Sequence, residues 1–195
     1  MVDPLPFVTY TFVMSITPGP NNVMLTASGA RFGLRRTLPH MLGIGSGFIV
    51  QLLAVCAGLY ALFARWPALQ GALGWAGAAY LLYLGYTLLA RTDATGEARA
   101  QPVSFLQAAA FQFLNPKAWV MTVTAATLFL PRGLSPWLTG AYMALVMEGI
   151  GLPCMAVWAL FGSSLRSVIA APRGRMVFNV SMALALTATA VMMVR

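Results

Sequence analysis

Six apolar stretches, each long enough to cross a lipid bilayer as a helix, make up most of this chain. A bilayer core about 30 Å thick requires about 20 consecutive, mostly apolar residues. The stretches are Leu5–Ala27, Leu38–Phe63, Ala68–Ala90, Phe105–Leu130, Pro136–Leu165 and Met176–Val194. Because lipid offers no hydrogen bonds to the backbone, such stretches are expected to be helical. The sequence therefore predicts an all-α membrane protein, a single domain over residues 1–195 with six transmembrane helices.

The composition supports this prediction and argues against a nucleic-acid-binding protein. Hydrophobic residues make up 59% of the chain and charged residues only 8%, whereas soluble domains carry about 25% charged residues. The net charge of +8 comes from basic residues in the short gaps between apolar stretches, with no basic face and no interleaved aromatic residues. The expected partner is therefore the lipid bilayer, and no nucleic-acid partner is expected.

The arginines between the apolar stretches are distributed unevenly. The first, third and fifth gaps hold Arg31, Arg35, Arg36, Arg91, Arg99, Arg166, Arg173 and Arg175, whereas the second and fourth hold only Arg65 and Arg132. Because short cytoplasmic loops carry the excess of basic residues, the odd-numbered gaps are predicted to be cytoplasmic. Both termini are then predicted to face outward, which an even number of spans allows.

The chain divides near its middle into two halves of three stretches each, at about residues 1–92 and 103–195. The loop-like segment Thr92–Pro102 separates them. Since three is odd, the second half must be inverted relative to the first, a construction that many secondary transporters share. The sequence therefore predicts two inverted three-helix repeats. A homo-oligomer is left open.

The first stretch contains the segment Thr17-Pro18-Gly19-Pro20-Asn21-Asn22 near its middle. Each proline removes a backbone donor and disfavours helix at the preceding residue, so two prolines that flank a glycine interrupt a helix. One half-helix is expected to end near Thr17 and another to start near Pro20. The carbonyls of about residues 14 to 17 then require new hydrogen-bond partners.

The fourth stretch is interrupted at the corresponding place by Asn115-Pro116-Lys117. Asn115 is typical of a helix N-cap and Pro116 of a first helical residue. At 1.5 Å per residue, both interruptions lie roughly 16–20 Å along their stretches, near the middle of the bilayer core. Paired interruptions at matching positions of two repeats indicate a transporter binding site. Two structural proline kinks are the alternative.

Half-helix ends at this depth favour a ligand that carries one negative and one positive group. A half-helix N-terminus presents free N–H groups and a partial positive charge, which suit a carboxylate. A half-helix C-terminus presents free carbonyls, here near Ser15–Thr17, which suit an ammonium group. An amino acid carries both groups. The two interrupting segments, Thr17–Asn22 and Asn115–Lys117, are therefore the predicted substrate-binding residues.

Two charged residues lie within the predicted spans. Lys117 is placed at a helix N-terminus, where the helix dipole opposes a cation and burial adds a desolvation cost. It is expected to face an anion, a substrate carboxylate or Glu148, unless its long side chain reaches the cytoplasmic interface. Glu148 is the only acid well inside a predicted span and is the candidate proton-coupling residue; a structural ion pair is the alternative.

Other small and polar residues have packing interpretations. Gly43 and Gly47 form a GxxxG pattern in the second stretch, which favours close helix packing. Gln51, Gln107 and Gln112 lie in apolar stretches and are expected to line a cavity or to bond between helices.

The chain offers little for metal or catalytic chemistry. Cys56 and Cys154 lie in apolar stretches without a CxxC pattern, and His40 is the only histidine, so no metal, cofactor or catalytic residue is expected. A membrane-embedded enzyme would need a Ser/Lys, Ser/His, paired Asp or HExxH-like site, for which these residues give little support. A structural membrane subunit without transport activity is the other alternative, and it would not require two matched interruptions.

The same segments carry a resemblance to a known family. Residues 15–22, Ser-Ile-Thr-Pro-Gly-Pro-Asn-Asn, resemble the TPGPN signature of the LysE/RhtB family of amino-acid exporters. The basic first loop Arg31–Arg36, Trp75–Leu81 of the third stretch and Phe111–Lys117 of the fourth resemble further family motifs in the same order. The resemblance runs along almost the whole chain.

The resemblance implies an efflux carrier of the bacterial inner membrane that the proton gradient drives. Within the family, Trp75–Tyr80, Pro102–Phe105 and Phe111–Phe113 are most similar to the cysteine/O-acetylserine exporters. The acids that exporters of basic amino acids carry near the site are not found in the helix after Arg36. The expected substrates are therefore small neutral amino acids such as cysteine, O-acetylserine, homoserine or threonine.

Overall fold

The computed structural model describes residues 4–59, 65–90, 101–129 and 135–194 of the 195-residue chain. Within these ranges every secondary-structure element is helical, which confirms the all-α prediction. The α-helices there are α1 Leu5–Ile16, α2 Pro20–Phe32, α3 Leu34–Ala54, α4 Pro67–Ala90, α5 Phe105–Leu114, α6 Pro116–Leu128, α7 Pro136–Ser164, α8 Arg166–Ala170 and α9 Pro172–Met193. A π-helical turn, Val55–Leu59, continues α3.

Some features predicted from the sequence lie outside the described residues. They are the span ends Phe63 and Leu130, the gap residues Arg91, Arg99 and Arg132, and most of the loop-like segment 92–102. The arginine distribution that predicts the orientation therefore rests on the sequence.

Prolines and short polar caps define the helix starts. α2, α6, α7 and α9 each begin with a proline, whose missing N–H would be unpaired at that position in any case. At the start of α5, Ser104 Oγ accepts a hydrogen bond from Gln107 N at 3.3 Å, and Gln107 Oε1 accepts one from Ser104 N at 3.0 Å. Asn115 caps α6, because its Oδ1 accepts a hydrogen bond from Lys117 N at 3.1 Å. This cap is the one that the sequence predicts.

Four of the described helical segments are long and apolar enough to cross a membrane: Leu34–Leu59, Gly71–Ala90, Trp137–Ser164 and Pro172–Met193. They correspond to the second, third, fifth and sixth predicted spans. The first and fourth predicted spans are each occupied by two shorter helices, α1 with α2 and α5 with α6. α2 continues beyond the predicted span end at Ala27, and α3 begins before the predicted span start at Leu38. The added turns contain arginines, whose long side chains can reach water from a helix.

Glycines set how closely the helices approach. α2 packs on α7, α3 on α5, and α4 on α9. A Cβ atom at Gly43 or Gly47 of α3 would overlap backbone carbonyl oxygens of α5, those of Phe105 and Ala109 respectively. The predicted role of Gly43 and Gly47 in close helix packing is therefore confirmed.

Gly47→Ala is expected to destabilise the fold by about 1–3 kcal/mol, because the added methyl group forces α3 and α5 apart. Gly149→Ala is the matched control, since nothing lies within 4 Å of a Cβ atom at Gly149. Thermal unfolding of both purified variants in one detergent checks the prediction. Equal melting temperatures for the two variants would contradict this account of the helix contact.

Large apolar side chains cover the outer surface. Leu106, Leu145 and Met192 are exposed by 75%, 76% and 78% of their surface. Such exposure is unfavourable in water but suits contact with lipid. The polar side chains instead meet inside, where α1, α2, α3, α6 and α7 come together.

Candidate functional site

One cavity brings together most of the residues that the sequence singles out. It encloses about 550 Å3 of space between protein atoms, its open mouth included. The predicted residues that line it are Gly19, Pro20, Asn21, Asn22, Asn115, Lys117 and Glu148. Thr17, Pro18 and Pro116 do not line it.

The Lys117 side chain reaches from the start of α6 to the end of α1. Its Nζ donates hydrogen bonds to Thr17 O at 2.8 Å, Thr17 Oγ1 at 3.0 Å and Pro18 O at 3.3 Å. The side chain lies over Gly19, where a Cβ atom would come within 2.8 Å of Lys117 Cδ. The expected anionic partner is therefore replaced here by the carbonyl end of α1, whose partial negative charge suits a cation.

The carbonyls at the end of α1 all have donors from the protein. Asn22 Nδ2 donates to Ser15 O at 2.9 Å and to Thr17 O at 2.8 Å. Trp158 Nε1 of α7 donates to Ile16 O at 3.1 Å. Side chains distant in sequence thus already donate to these carbonyls, and their binding of a substrate ammonium group stays a prediction.

The carbonyls at the end of α5 also receive hydrogen bonds from side chains. Pro116 has no N–H, so the Gln112 carbonyl loses its helical donor. Gln51 Nε2 of α3 donates to this carbonyl at 3.2 Å, and Trp119 Nε1 donates to Phe113 O at 2.9 Å. At each interruption an amide and an indole supply the missing hydrogen bonds.

A reciprocal amide pair joins the two interrupted regions. Asn21 Nδ2 donates to Gln112 Oε1 at 2.9 Å, and Gln112 Nε2 donates to Asn21 Oδ1 at 3.3 Å. Gln112 is fully buried, and its pairing fixes the start of α2 against α5. The predicted bonding of Gln51 and Gln112 between helices is confirmed, whereas Gln107 instead caps its own helix.

The Glu148 side chain places a buried carboxylate oxygen in the cavity. Its Oε2 is buried and has no hydrogen-bond partner within the described residues. Gly45 of α3 makes room for it, since a Cβ atom there would lie 2.7 Å from Oε2. In the part of the chain that the structure describes, no ion pair joins Glu148 to a lysine or arginine, so the structural ion pair that the sequence left open is not observed there.

The apolar lining of the cavity gave no signal in the sequence. Met14, Met121, Met147 and Met155 line it together with Phe48. In the sequence these methionines are indistinguishable from core or lipid-facing residues, because only the packing decides which of them face a cavity. Their flexible thioether side chains adapt to small groups of differing shape.

The described residues provide no metal site, since they contain no cluster of three or more His, Cys, Asp or Glu side chains that could hold an ion. The cavity instead combines one cationic and one carboxylate side chain with an uncapped helix start. α2 has no side-chain cap at its N-terminus, and Asn21 and Asn22 of its first turn line the cavity. This arrangement can hold a small zwitterion.

Comparison with known proteins gives a consistent result. The family model for the LysE type translocator matches residues 12–195. The chain is similar to the cysteine/O-acetylserine efflux protein of Klebsiella pneumoniae, at 36% identity over 158 residues and 80% of each chain. The proteins of the same name from Escherichia coli and Salmonella choleraesuis are 36% and 35% identical over 160 residues, again 80% of each chain. No solved structure matches the chain significantly.

Proposed function

This chain belongs to the family of LysE type translocators and is an amino-acid exporter, and we propose that it exports small neutral amino acids, of which cysteine and O-acetylserine are the first candidates. One observation carries the proposal. A single cavity holds Lys117, the unpartnered carboxylate of Glu148 and the uncapped start of α2, with methionines around the rest.

The substrate carboxylate binds at the start of α2 in this proposal. The N–H groups in the first turn of α2 and the partial positive charge of the helix attract an anion. Lys117 adds a full positive charge in the same cavity. Its contact with Pro18 O is the longest of its three, at 3.3 Å, and the residue is exposed. A bound carboxylate can therefore replace Pro18 O as a partner of Lys117 Nζ more readily than it can replace the two Thr17 oxygens.

In this proposal the substrate ammonium group binds Glu148, whose Oε2 has no donor among the described residues. A proton and an ammonium group then compete for one carboxylate. In the outward-facing state the substrate leaves and a proton takes its place, and in the inward-facing state the proton leaves and the next substrate binds. Competition for one buried carboxylate is the simplest chemistry that couples export of a zwitterion to entry of a proton.

The substrate side chain lies among Met14, Met121, Met147 and Met155. Thioether and aromatic surroundings accept small neutral groups, whereas a second ammonium or guanidinium group would be desolvated without a counter-ion. Glu148 already pairs with the α-ammonium group in this scheme. The cavity therefore selects against lysine and arginine.

Flux into proteoliposomes tests the proposal. Vesicles with an acidic lumen should accumulate cysteine and O-acetylserine, and homoserine or threonine to a smaller extent, but not lysine or arginine. The matched control is the same vesicle with the pH gradient collapsed. If no neutral amino acid enters faster than into protein-free vesicles, the proposed substrate class is wrong.

We further propose that α1 with α2 forms one interrupted span and α5 with α6 another, so that six spans make two inverted repeats. The 12 residues of α1 and 13 residues of α2 extend about 38 Å at 1.5 Å per residue, enough to cross a bilayer core. The matching amide and indole bonds at the two interruptions support this proposal.

Both termini face outward in this proposal, because the odd-numbered gaps carry most of the arginines. Single cysteines at Gly96 and Ala68, in a chain without Cys56 and Cys154, should react oppositely with an impermeant thiol reagent. Position 96, which lies outside the described residues, should be protected in intact cells, and position 68 should be labelled. The reverse pattern would mean that the orientation is inverted.

A further inference from the structure

Gln112 of α5 uses both the nitrogen and the oxygen of its amide in hydrogen bonds, although it does not line the cavity. The side chain is fully buried. Its Nε2 donates to Ala108 O at 3.0 Å and to Asn21 Oδ1 at 3.3 Å, and its Oε1 accepts from Asn21 Nδ2 at 2.9 Å. Because Ala108 O can only accept, the amide nitrogen must lie beside it, which fixes the orientation of the amide. Gln112 therefore offers Asn21 one donor and one acceptor at fixed positions.

The first turn of α2 is held on two sides by its asparagine side chains. Asn21 lines the cavity, and its amide nitrogen and oxygen both bond to Gln112 of α5. The amide nitrogen of the next residue, Asn22, donates to Ser15 O and Thr17 O at the end of α1. One asparagine thus ties the start of α2 to α5, and the other ties it to α1. Together these bonds set where the backbone of this turn lies.

The backbone of this turn keeps two N–H groups for a ligand, since neither the Asn21 N–H nor the Asn22 N–H has an acceptor among the residues that the structure describes. Pro20 has no N–H, and Val23 N donates to Gly19 O at 3.0 Å. Free N–H groups at a helix start carry a partial positive charge and suit a carboxylate. Whether both reach the same carboxylate depends on the rotation and tilt of the α2 start, which the asparagine side chains hold.

We propose that Gln112 is a positioning residue for the substrate carboxylate. Through the amide of Asn21 it holds the backbone N–H groups of Asn21 and Asn22 in the orientation that binds the carboxylate, and it does not touch the substrate itself. This inference rests on the proposed carboxylate site at the start of α2. Lys117 supplies the full positive charge at that site, and the paired amides set the direction of the hydrogen bonds. Carboxylate recognition then depends on a contact between the two interrupted regions, α2 from one and α5 from the other.

Exchange of cysteine at equal pH on both sides of proteoliposomes tests this role without a proton gradient. Gln112→Met keeps the length of the side chain and removes the amide, so it should raise the KM for cysteine roughly tenfold, the loss of about one charge-assisted hydrogen bond, with kcat close to that of the wild type. Asn21→Ala removes the same amide pair from a half-buried position and keeps the backbone N–H groups. It should raise the KM to a similar extent. The double variant should raise it no further, because both changes act through one pair.

Gln51→Met is the matched control, because Gln51 is also fully buried and its amide bonds to the backbone of α5, at Gln112 O. It should lower the melting temperature as Gln112→Met does but leave the KM unchanged. A lower maximal rate at unchanged KM in Gln112→Met and Asn21→Ala would mean that the pair only stabilises the fold. An equal rise of the KM in Gln51→Met, or additive rises in the double variant, would also overturn the positioning role. All these outcomes leave the exporter proposal intact, whereas no exchange of cysteine or O-acetylserine by the wild type would refute the substrate class and the positioning role together.

Discussion

Lys117→Met is expected to reduce amino-acid flux roughly 10- to 100-fold, while the protein still inserts and folds. The variant removes the only lysine of the chain and with it the full positive charge beside the proposed carboxylate site. A hydrogen bond to a charged group contributes about 1.5–3 kcal/mol, which corresponds to this range. Folding is affected less, because Thr17 O keeps its bond from Asn22 Nδ2 and the exposed Pro18 can be hydrated.

Flux into proteoliposomes, normalised to the amount of inserted protein, measures this effect. Lys117→Arg should retain only part of the activity, since a planar guanidinium group cannot make the same three contacts above Gly19. Gly19→Ala should also lower flux, because its methyl group would displace the Lys117 side chain. The extended backbone at Gly19, with φ −173°, accepts alanine without strain.

Arg36→Met is the control for loss of a positive charge, since Arg36 is exposed and does not line the cavity. It should transport like the wild type. Normal transport by Lys117→Met would show that Lys117 serves only to cap the end of α1, and the carboxylate site would then have to depend on the start of α2 alone.

Glu148→Gln is expected to abolish accumulation driven by a pH gradient but to leave exchange of substrate at equal pH. Glutamine keeps the size of the side chain, so the space above Gly45 stays filled. It cannot take up and release a proton, and its neutral carbonyl binds an ammonium group less strongly than a carboxylate does. Exchange should therefore persist with an apparent affinity lowered roughly tenfold.

Two flux measurements on the same vesicles separate these effects. One uses an acidic lumen and no internal substrate, and the other uses equal pH with substrate on both sides. Glu97→Gln makes the same chemical change outside the predicted spans and should behave like the wild type in both. Uphill accumulation by Glu148→Gln would show that the proton path lies elsewhere and that the carboxylate serves packing or ammonium binding only.

The sequence alone predicted the class of fold because the relevant signals are local. Apolar length indicates membrane helices, and proline fixes where a helix starts, as Pro20 and Pro116 do here. It also identified the segments that line the main cavity. Glycine, proline and asparagine inside an apolar stretch leave backbone groups without helical hydrogen bonds, which is unfavourable in lipid unless those groups find other partners. Neither prediction required knowledge of how the helices pack.

The partners of those residues could not be predicted in the same way. Lys117 bonds to Thr17, which lies 100 positions earlier in the chain, and Asn21 pairs with Gln112 across 91 positions. From a carbonyl that lacks its helical donor one can infer only that some other donor is required. Lysine, asparagine and tryptophan side chains can all supply that hydrogen bond. For this reason the sequence did not predict that protein side chains donate to the carbonyls near Ser15–Thr17.

The sequence by itself therefore determined that helices start at Pro20 and Pro116 and that Lys117 and Glu148 are the charged residues of the apolar stretches. Only the tertiary structure decided which group Lys117 faces, that Glu148 Oε2 has no hydrogen-bond partner among the residues that the structure describes, and that four methionines line the cavity. The physical reason is that helix starts and interruptions depend on the chemistry of a few neighbouring residues. Hydrogen-bond partners and cavity walls depend instead on how closely distant helices approach, which glycines such as Gly45 and Gly47 permit.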